Sequence, residues 1–235
     1  LLRPPFFRYL GQMQVLGLFA GLIAAYLLGS FPTGVIVGKL FFGTDPRKGG
    51  SGASGATNIF RQFGKTAGIV VSLIDVGKGA LAAYLCSRLG SSAAAYASLD
   101  DQTFRLLLRI AGAFLAVLGH VYPVFAGFKG GKGVATGAGA IILIAPGAAL
   151  FSALGFGIVL GTTGIVSASS MTAALILPIA VALGAAGRPV SAWLLGFAVL
   201  LALFVIFTHR TNVKRIARGE EKAFDKLKFL RRPKK

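Results

Sequence analysis

The sequence predicts an all-α, polytopic integral membrane protein, with about seven transmembrane helices and short cytoplasmic loops that carry its polar motifs. Three observations support this. Hydrophobic residues make up 55% of the 235, and mean hydropathy is strongly positive, far from an ordinary water-soluble domain. Apolar runs of about 18 residues or more recur along the chain, long enough for a helix to cross the hydrocarbon of a bilayer. Glycine is abundant inside those runs, which suits close helix packing in lipid.

The net charge of +18 would point to nucleic acid in a soluble protein. Here it reads as membrane orientation and attraction to anionic lipids or substrates, with no nucleic-acid partner. The single Cys86 excludes an intrachain disulfide, and no cysteine or histidine cluster offers a metal site. The expectation is one membrane domain over 1–235, with no metal and no cofactor. LLRPPFFRYLGQ lacks the small-residue cleavage site of a signal peptide. Met13 is read as the true or an alternative start, with residues 1–12 as an extension.

The first apolar run covers Met13–Phe42, and Gly29, Pro32 and Gly34 in GSFPTG predict a kink or break in it. A polar loop from 43 to 65 follows, then a second helix over Thr66–Arg88. A connection rich in Ser and Asp, 89–103, leads to a third helix, Phe104–Phe125. Pro146-Gly147 divides Val134–Gly161 into helices four and five. Thr162–Ser170 reads as a small-residue connection, Met171–Ala186 as helix six and Val190–Phe207 as helix seven. Residues 209–235 form a basic tail. With seven spans, the loops 43–65 and 126–133 and the tail share one side. On or beside them lie 18 of the 25 basic residues, so that side is cytoplasmic and the N terminus is outside.

The chemistry concentrates in these polar segments. In GHVYPVFAGFKGGKGVAT, Lys129 and Lys132 stand among Gly127, Gly130, Gly131 and Gly133. Bare backbone N–H groups beside two cations are what a phosphate needs at close range. In GSGASGATNIFR, Gly50 and Gly52 allow close backbone approach. Ser51, Thr57 and Asn58 offer hydroxyl and amide donors, and Arg61 can grip a phosphate bidentately. Gly50, Gly52 and Gly55 also fit a dinucleotide fingerprint, but no strand precedes them. The second loop fails as a nucleotide P-loop, because Ala126 and Gly133 replace the required Gly and Ser or Thr. Asp75 and Lys78, three apart in an apolar run, must pair or face a polar cavity. A structural ion pair and a functional one are both open, and neither residue is placed among the catalytic groups. His120 adjoins the Gly/Lys loop, while His209 and Asn212 follow the last helix. Five residues after each His, where the second partner of an HxxxxD dyad would be expected, Phe125 and Lys214 stand instead of Asp. There is also no GxSxG elbow and no paired carboxylate.

In order and distribution, GSFPTG, GSGASGATNIFR, DVGKG, GHVYPVFAGFKGGKGVAT and HRTNVKRIARGEE resemble the PlsY-type family of bacterial membranes. These are acyl-phosphate:glycerol-3-phosphate acyltransferases, and the resemblance spans Met13 to Glu221. It implies transfer of a fatty acyl group from acyl phosphate to the sn-1 hydroxyl of glycerol 3-phosphate at the plasma (inner) membrane. The products are lysophosphatidic acid and phosphate, the first step of phospholipid biosynthesis. It implies Ser51, Arg61, His120 and Lys132 as catalytic residues. Gly50, Gly52, Thr57, Asn58, Lys129, Gly130, Gly131, His209 and Asn212 would bind substrate, and Glu221 would brace the tail. Partners would be the two substrates, membrane lipids and an enzyme that makes acyl phosphate. Ala53 departs from the family, which usually has Asn after GSG; Ser54 or a backbone N–H must then replace that donor. The missing base fits a mixed-anhydride donor, which needs positioning and charge neutralisation more than strong base catalysis. The competing class is a transporter of an organic phosphate, disfavoured because the motifs cluster at one face instead of the bilayer midplane.

Overall fold

The structure is a computed structural model that describes residues 5–91, 99–187 and 189–224, with side chains from Val15 onward. Residues 92–98 of the 89–103 connection and 225–235 of the tail lie outside the described residues. Among the described residues there is helix but no strand, in accord with the all-α expectation. The helices form two compact units, Leu1–Ile144 and Ala145–Lys235.

The first unit begins with α1 (Pro5–Ser30) and α2 (Thr33–Phe42). They are separated at Phe31-Pro32, as GSFPTG predicts: Pro32 has no N–H to donate, and it pushes Phe31 out of the helical region. Gly43, in the left-handed region at φ 66°, closes α2. Residues 43–65 are more ordered than a loop. They hold a 3₁₀ turn, Pro46–Lys48, and an eight-residue helix, α3 (Ala56–Phe63). Ile59 of α3 is fully buried and packs with Val37, Ala67 and Val71, a burial that contributes roughly 1.5–3 kcal/mol.

Next come α4 (Lys65–Gly90), α5 (Asp101–Val121) and α6 (Val134–Ile144). The α5 helix starts three residues before the expected Phe104, because Asp100 caps it by accepting from the Thr103 amide at 2.9 Å. It ends at Val121 instead of Phe125, since Tyr122 precedes Pro123. Small residues set the spacing of α1, α4 and α5: Ala25, Ala82, Cys86 and Ala116 are fully buried together with Leu108. The crossing of α4 and α6 is closer still. A methyl group on Gly79 would meet the Thr136 carbonyl, and one on Gly139 would meet the Val76 carbonyl, so the two backbones touch through reciprocal glycines.

The second unit contains α7 (Pro146–Thr163), α8 (Val166–Ala182), α9 (Ala192–Thr208) and α10 (Arg210–Ala217). The expected connection 162–170 shrinks to Gly164-Ile165. Ser169 and Ser170 belong to α8 and satisfy their hydroxyls on the Ile165 and Val166 carbonyls one turn back. Among the described residues, four helical stretches are long and apolar enough to cross a membrane: Val15–Phe42, Lys65–Gly90, Asp101–Ala126 and Pro146–Thr163. A fifth is added if α9 and α10, bent by 61°, count as one span. Of the expected seven, the remaining two correspond to the shorter apolar helices α6 and α8. At 11 residues, α6 reaches about 16 Å, roughly half the hydrocarbon thickness.

Candidate active site

Two motif loops of the first unit are shaped by their own side chains. Asp45 caps the Pro46–Lys48 turn, accepting from the Arg47 amide at 3.0 Å and from the Arg47 guanidinium at 2.7 Å. That side-chain hydrogen bond holds the Asp45 carboxyl at about 2, below its ordinary 3.8, and raises Arg47 in turn. The chain then turns through Gly50 (φ 63°) and Gly52 (φ 73°), where glycine alone is unstrained. Asn58, almost completely buried, fixes this turn from α3. Its Oδ1 accepts from the Ser51 amide at 3.0 Å, and its Nδ2 donates to the carbonyls of Pro46, Gly49 and Ala53. Gln62, one turn along, donates to the same Pro46 and Gly49 carbonyls. The carboxamide of Asn58 is thus engaged within the loop, whose tip presents the exposed Ser51. Thr57 and Arg61, also one turn apart, share a different face of α3, each half-buried.

The Gly/Lys loop folds back on the end of α5. Gly130 N donates to the Val121 carbonyl and Gly131 N to the His120 carbonyl, both at 3.1 Å. Gly127 and Phe128 take left-handed conformations, φ 63° and 58°. The glycines are required: a methyl group on Gly131 would strike the His120 ring at Nε2, and one on Gly130 would strike the His120 carbonyl. Lys129 is exposed and Lys132 half-buried.

The two loops are tied to each other. Arg47 donates from Nη1 to the carbonyls of Ala126 (2.6 Å) and Lys129 (3.1 Å), and Ser54 N donates to Gly130 O at 3.4 Å. Ser51, Thr57, Arg61, His120, Lys129 and Lys132 therefore belong to one connected loop pair. Of the expected stand-ins for the Asn absent at Ala53, Ser54 or a backbone N–H, the Ser54 N–H is committed to Gly130. Ser54 also lines a small polar cleft with Thr33, Asp75, Lys78, His120 and Pro123, with room for roughly one water. In that cleft Asp75 Oδ1 accepts from Lys78 Nζ (2.8 Å) and Thr33 Oγ1 (3.0 Å), and Lys78 donates to Phe31 O at 3.0 Å. His120 Nδ1 stands 3.6 Å from the same Asp75 oxygen.

Three contributors were missed in the sequence: Arg47, Gln62 and the Asp75–His120 approach. Gln62 had a local signal, four residues from Asn58 before a glycine-flanked turn. The others join residues far apart in the chain.

In the second unit, His209 and Asn212 are buried. His209 Nδ1 lies 2.8 Å from Val205 O; the carbonyl can only accept, so Nδ1 carries the proton. The Glu221 carboxylate accepts from Asn212 Nδ2 (2.6 Å) and Ser167 Oγ (2.8 Å), and pairs with Arg215 Nε at 3.0 Å. It thereby joins α10 to the start of α8.

The sequence family described as Glycerol-3-phosphate acyltransferase matches residues 19–219. The chain belongs to the glycerol-3-phosphate acyltransferase family. Among its relatives of that name, the protein of Enterococcus faecalis is 43% identical over 222 residues, covering 91% of this chain and 94% of its own. That of Thermosynechococcus vestitus is 42% identical over 209 residues, covering 88% and 94%. A solved structure of PlsY, an integral membrane glycerol 3-phosphate acyltransferase in its glycerol 3-phosphate form, is 35% identical. It superposes with a TM-score of 0.77 over 89% of this chain and 96% of its own. The lysophosphatidic acid form of PlsY is 32% identical, with a TM-score of 0.74 over 90% and 97%. The family and membrane character implied by the motifs are thereby established for this acyltransferase, as is the all-helical fold.

Proposed function

We propose that this chain transfers a fatty acyl group from acyl phosphate to the sn-1 hydroxyl of glycerol 3-phosphate, by direct attack and without an acyl-enzyme. Acyl transfer to glycerol 3-phosphate follows from the family; the donor and the residue roles rest on the site. The observation that carries them is the pairing of two phosphate-suited loops in one unit, held together by Arg47 and Ser54. The Gly130–Gly131 turn and Lys132 receive the acyl phosphate, with Lys129 beside it. Ser51, Thr57 and Arg61 hold phosphate from the other loop, where Gly50 and Gly52 allow close approach and Asn58 fixes the shape. His120 borders the turn. In the second unit, His209 and Asn212 are assigned to glycerol 3-phosphate and Glu221 to bracing α10.

In the reaction the acceptor oxygen forms the ester C–O bond as the acyl C–O bond to phosphate breaks. Phosphate leaves, and the hydroxyl proton passes to a substrate phosphate oxygen or to a His. Charge neutralisation and positioning supply the acceleration, as expected where the leaving group is already good. Both loops and the tail face the cytoplasm of the inner membrane, the N terminus lies outside, anionic lipids surround the basic tail, and an acyl-phosphate-producing enzyme supplies the donor. The test is phosphate release from palmitoyl phosphate with and without glycerol 3-phosphate, with acyl-CoA as a parallel donor. Release that needs glycerol 3-phosphate and yields lysophosphatidic acid only from acyl phosphate is expected. Turnover with acyl-CoA alone would overturn the donor assignment, and uptake of glycerol 3-phosphate into vesicles without any donor would favour transport.

A further inference from the structure

The buried Asp75–Lys78 pair has no part in the reaction as drawn above, yet it is placed to govern His120. Three elements meet at the Asp75 carboxylate: Thr33 from the start of α2, Lys78 from α4 itself, and His120 from the end of α5. Lys78 also reaches Phe31 O, which fastens the broken segment to α4. Asp75 is 2% exposed and Lys78 7%, so the carboxylate is neutralised by a cation inside an apolar helix, as such a burial requires.

His120 Nδ1 is buried and makes no hydrogen bond; the charged group it faces is Asp75 Oδ1, 3.6 Å away. That is too long for a hydrogen bond, and an approach of about 0.6 Å would make one. A lone pair on Nδ1 would face a carboxylate and be repelled, whereas an N–H there is attracted. The opposite nitrogen, Nε2, packs against Gly131, in the turn assigned to the acyl phosphate.

We propose that Asp75 is a positioning residue: it keeps the proton of His120 on Nδ1 and sets the ring, so that Nε2 presents an acceptor lone pair to the Gly130–Gly131 turn. Lys78 keeps the cluster neutral, and Thr33 holds the carboxylate in line. Asp75 never touches substrate; its effect reaches the reaction through His120. This rests on the acyl-transfer reading of the turn, and the first arm of its test does not.

The chain has two histidines, so ¹⁵N-histidine labelling reads the ring directly, with His209→Gln assigning the second set of signals. In the wild-type protein near neutral pH, His120 should show a protonated Nδ1 and an unprotonated Nε2. The opposite tautomer, or an imidazolium with both nitrogens protonated, overturns the proposal. The kinetic arm uses Asp75→Asn/Lys78→Met, which removes both charges together. If the pair serves charge balance alone, this variant turns over like wild type and the proposal is overturned. On the positioning reading kcat falls about tenfold or more with little change in KM, and the fall vanishes in a His120→Ala background. Additive losses also overturn it. Should the double variant not fold, the tautomer of the wild-type ring decides. Should wild type turn over no substrate, the acyl-transfer reading falls while the ring measurement stands.

Discussion

Replacing Arg47 with Ala removes the clamp between the two motif loops. The guanidinium gives two hydrogen bonds to the carbonyls of Ala126 and Lys129. A hydrogen bond from a charged donor is worth about 1.5–3 kcal/mol. Arg47 is 23% exposed, so screening favours the lower figure, and the two together hold the second loop by about 3 kcal/mol. Asp45, 12% exposed, would keep only its capping bond from the residue-47 amide, so the double variant Asp45→Ala/Arg47→Ala, which loses that cap as well, should be less stable than Arg47→Ala alone. The assay is tryptic cleavage after the exposed Lys129, which tracks the population of opened loop. At 1.4 kcal/mol per tenfold, the cleavage rate should rise about a hundredfold, and kcat/KM should fall with it. A cleavage rate within about twofold of wild type would refute the clamp. The pH dependence has a defined sign. Asp45 is lowered from 3.8 to about 2 by Arg47, so its stabilisation is fully present above about 3.8 and is lost as pH falls through 2. Cleavage by pepsin near Phe125 and Phe128 should rise between about pH 4 and 2 in wild type, a rise that Asp45→Asn abolishes.

Asn58→Ala would leave the Ser51 amide and the Ala53 carbonyl without their partner, and the Pro46 and Gly49 carbonyls with one donor fewer, and should lower stability by about 3 kcal/mol, measured as a fall in Tm; an unchanged Tm would mean that water replaces the side chain. Gly131→Ala places a methyl group against the His120 ring, and turnover should fall about tenfold or more with little change in Tm; turnover equal to wild type would show that the ring moves aside freely. Glu221→Gln weakens the tie of α10 to α8 through Arg215 and should cost about 1–2 kcal/mol. Faster hydrogen exchange over Arg210–Ala217 is the readout, and unaltered exchange would remove Glu221 from that role.

What the sequence reveals depends on how far apart the partners lie. The break at Pro32 was predictable because its cause is one residue, and the division at Pro146 because proline suits a first helical position. The α3 helix was hidden. Its eight residues are bounded by Gly55 and Gly64, and its stability comes from burying Ile59 beside Val37 and Val71. The start of α8 was missed because buried serines that bond back along a helix look, in sequence, like those of a connection. In the site, the glycines and basic residues of both loops could be read locally. The Arg47 bond to Ala126 spans 79 residues, and no local pattern encodes it. The approach of His120 to Asp75 was beyond a search for HxxxxD spacing, because the pair joins two helices.

The reciprocal glycines at the α4–α6 crossing have a consequence for the turn that precedes α6. Lys132 stands two residues before that helix, and the turn is already bonded to the end of α5. With α6 seated backbone to backbone on α4, the turn is anchored at both ends. Its ordering is therefore accomplished once, in folding, and need not be repeated each time a substrate arrives. As the acyl-phosphate site proposed above, such a turn discriminates by shape and charge instead of adapting to its guest. Variation in the acyl chains it accepts must then arise away from the turn, where side chains have room to change.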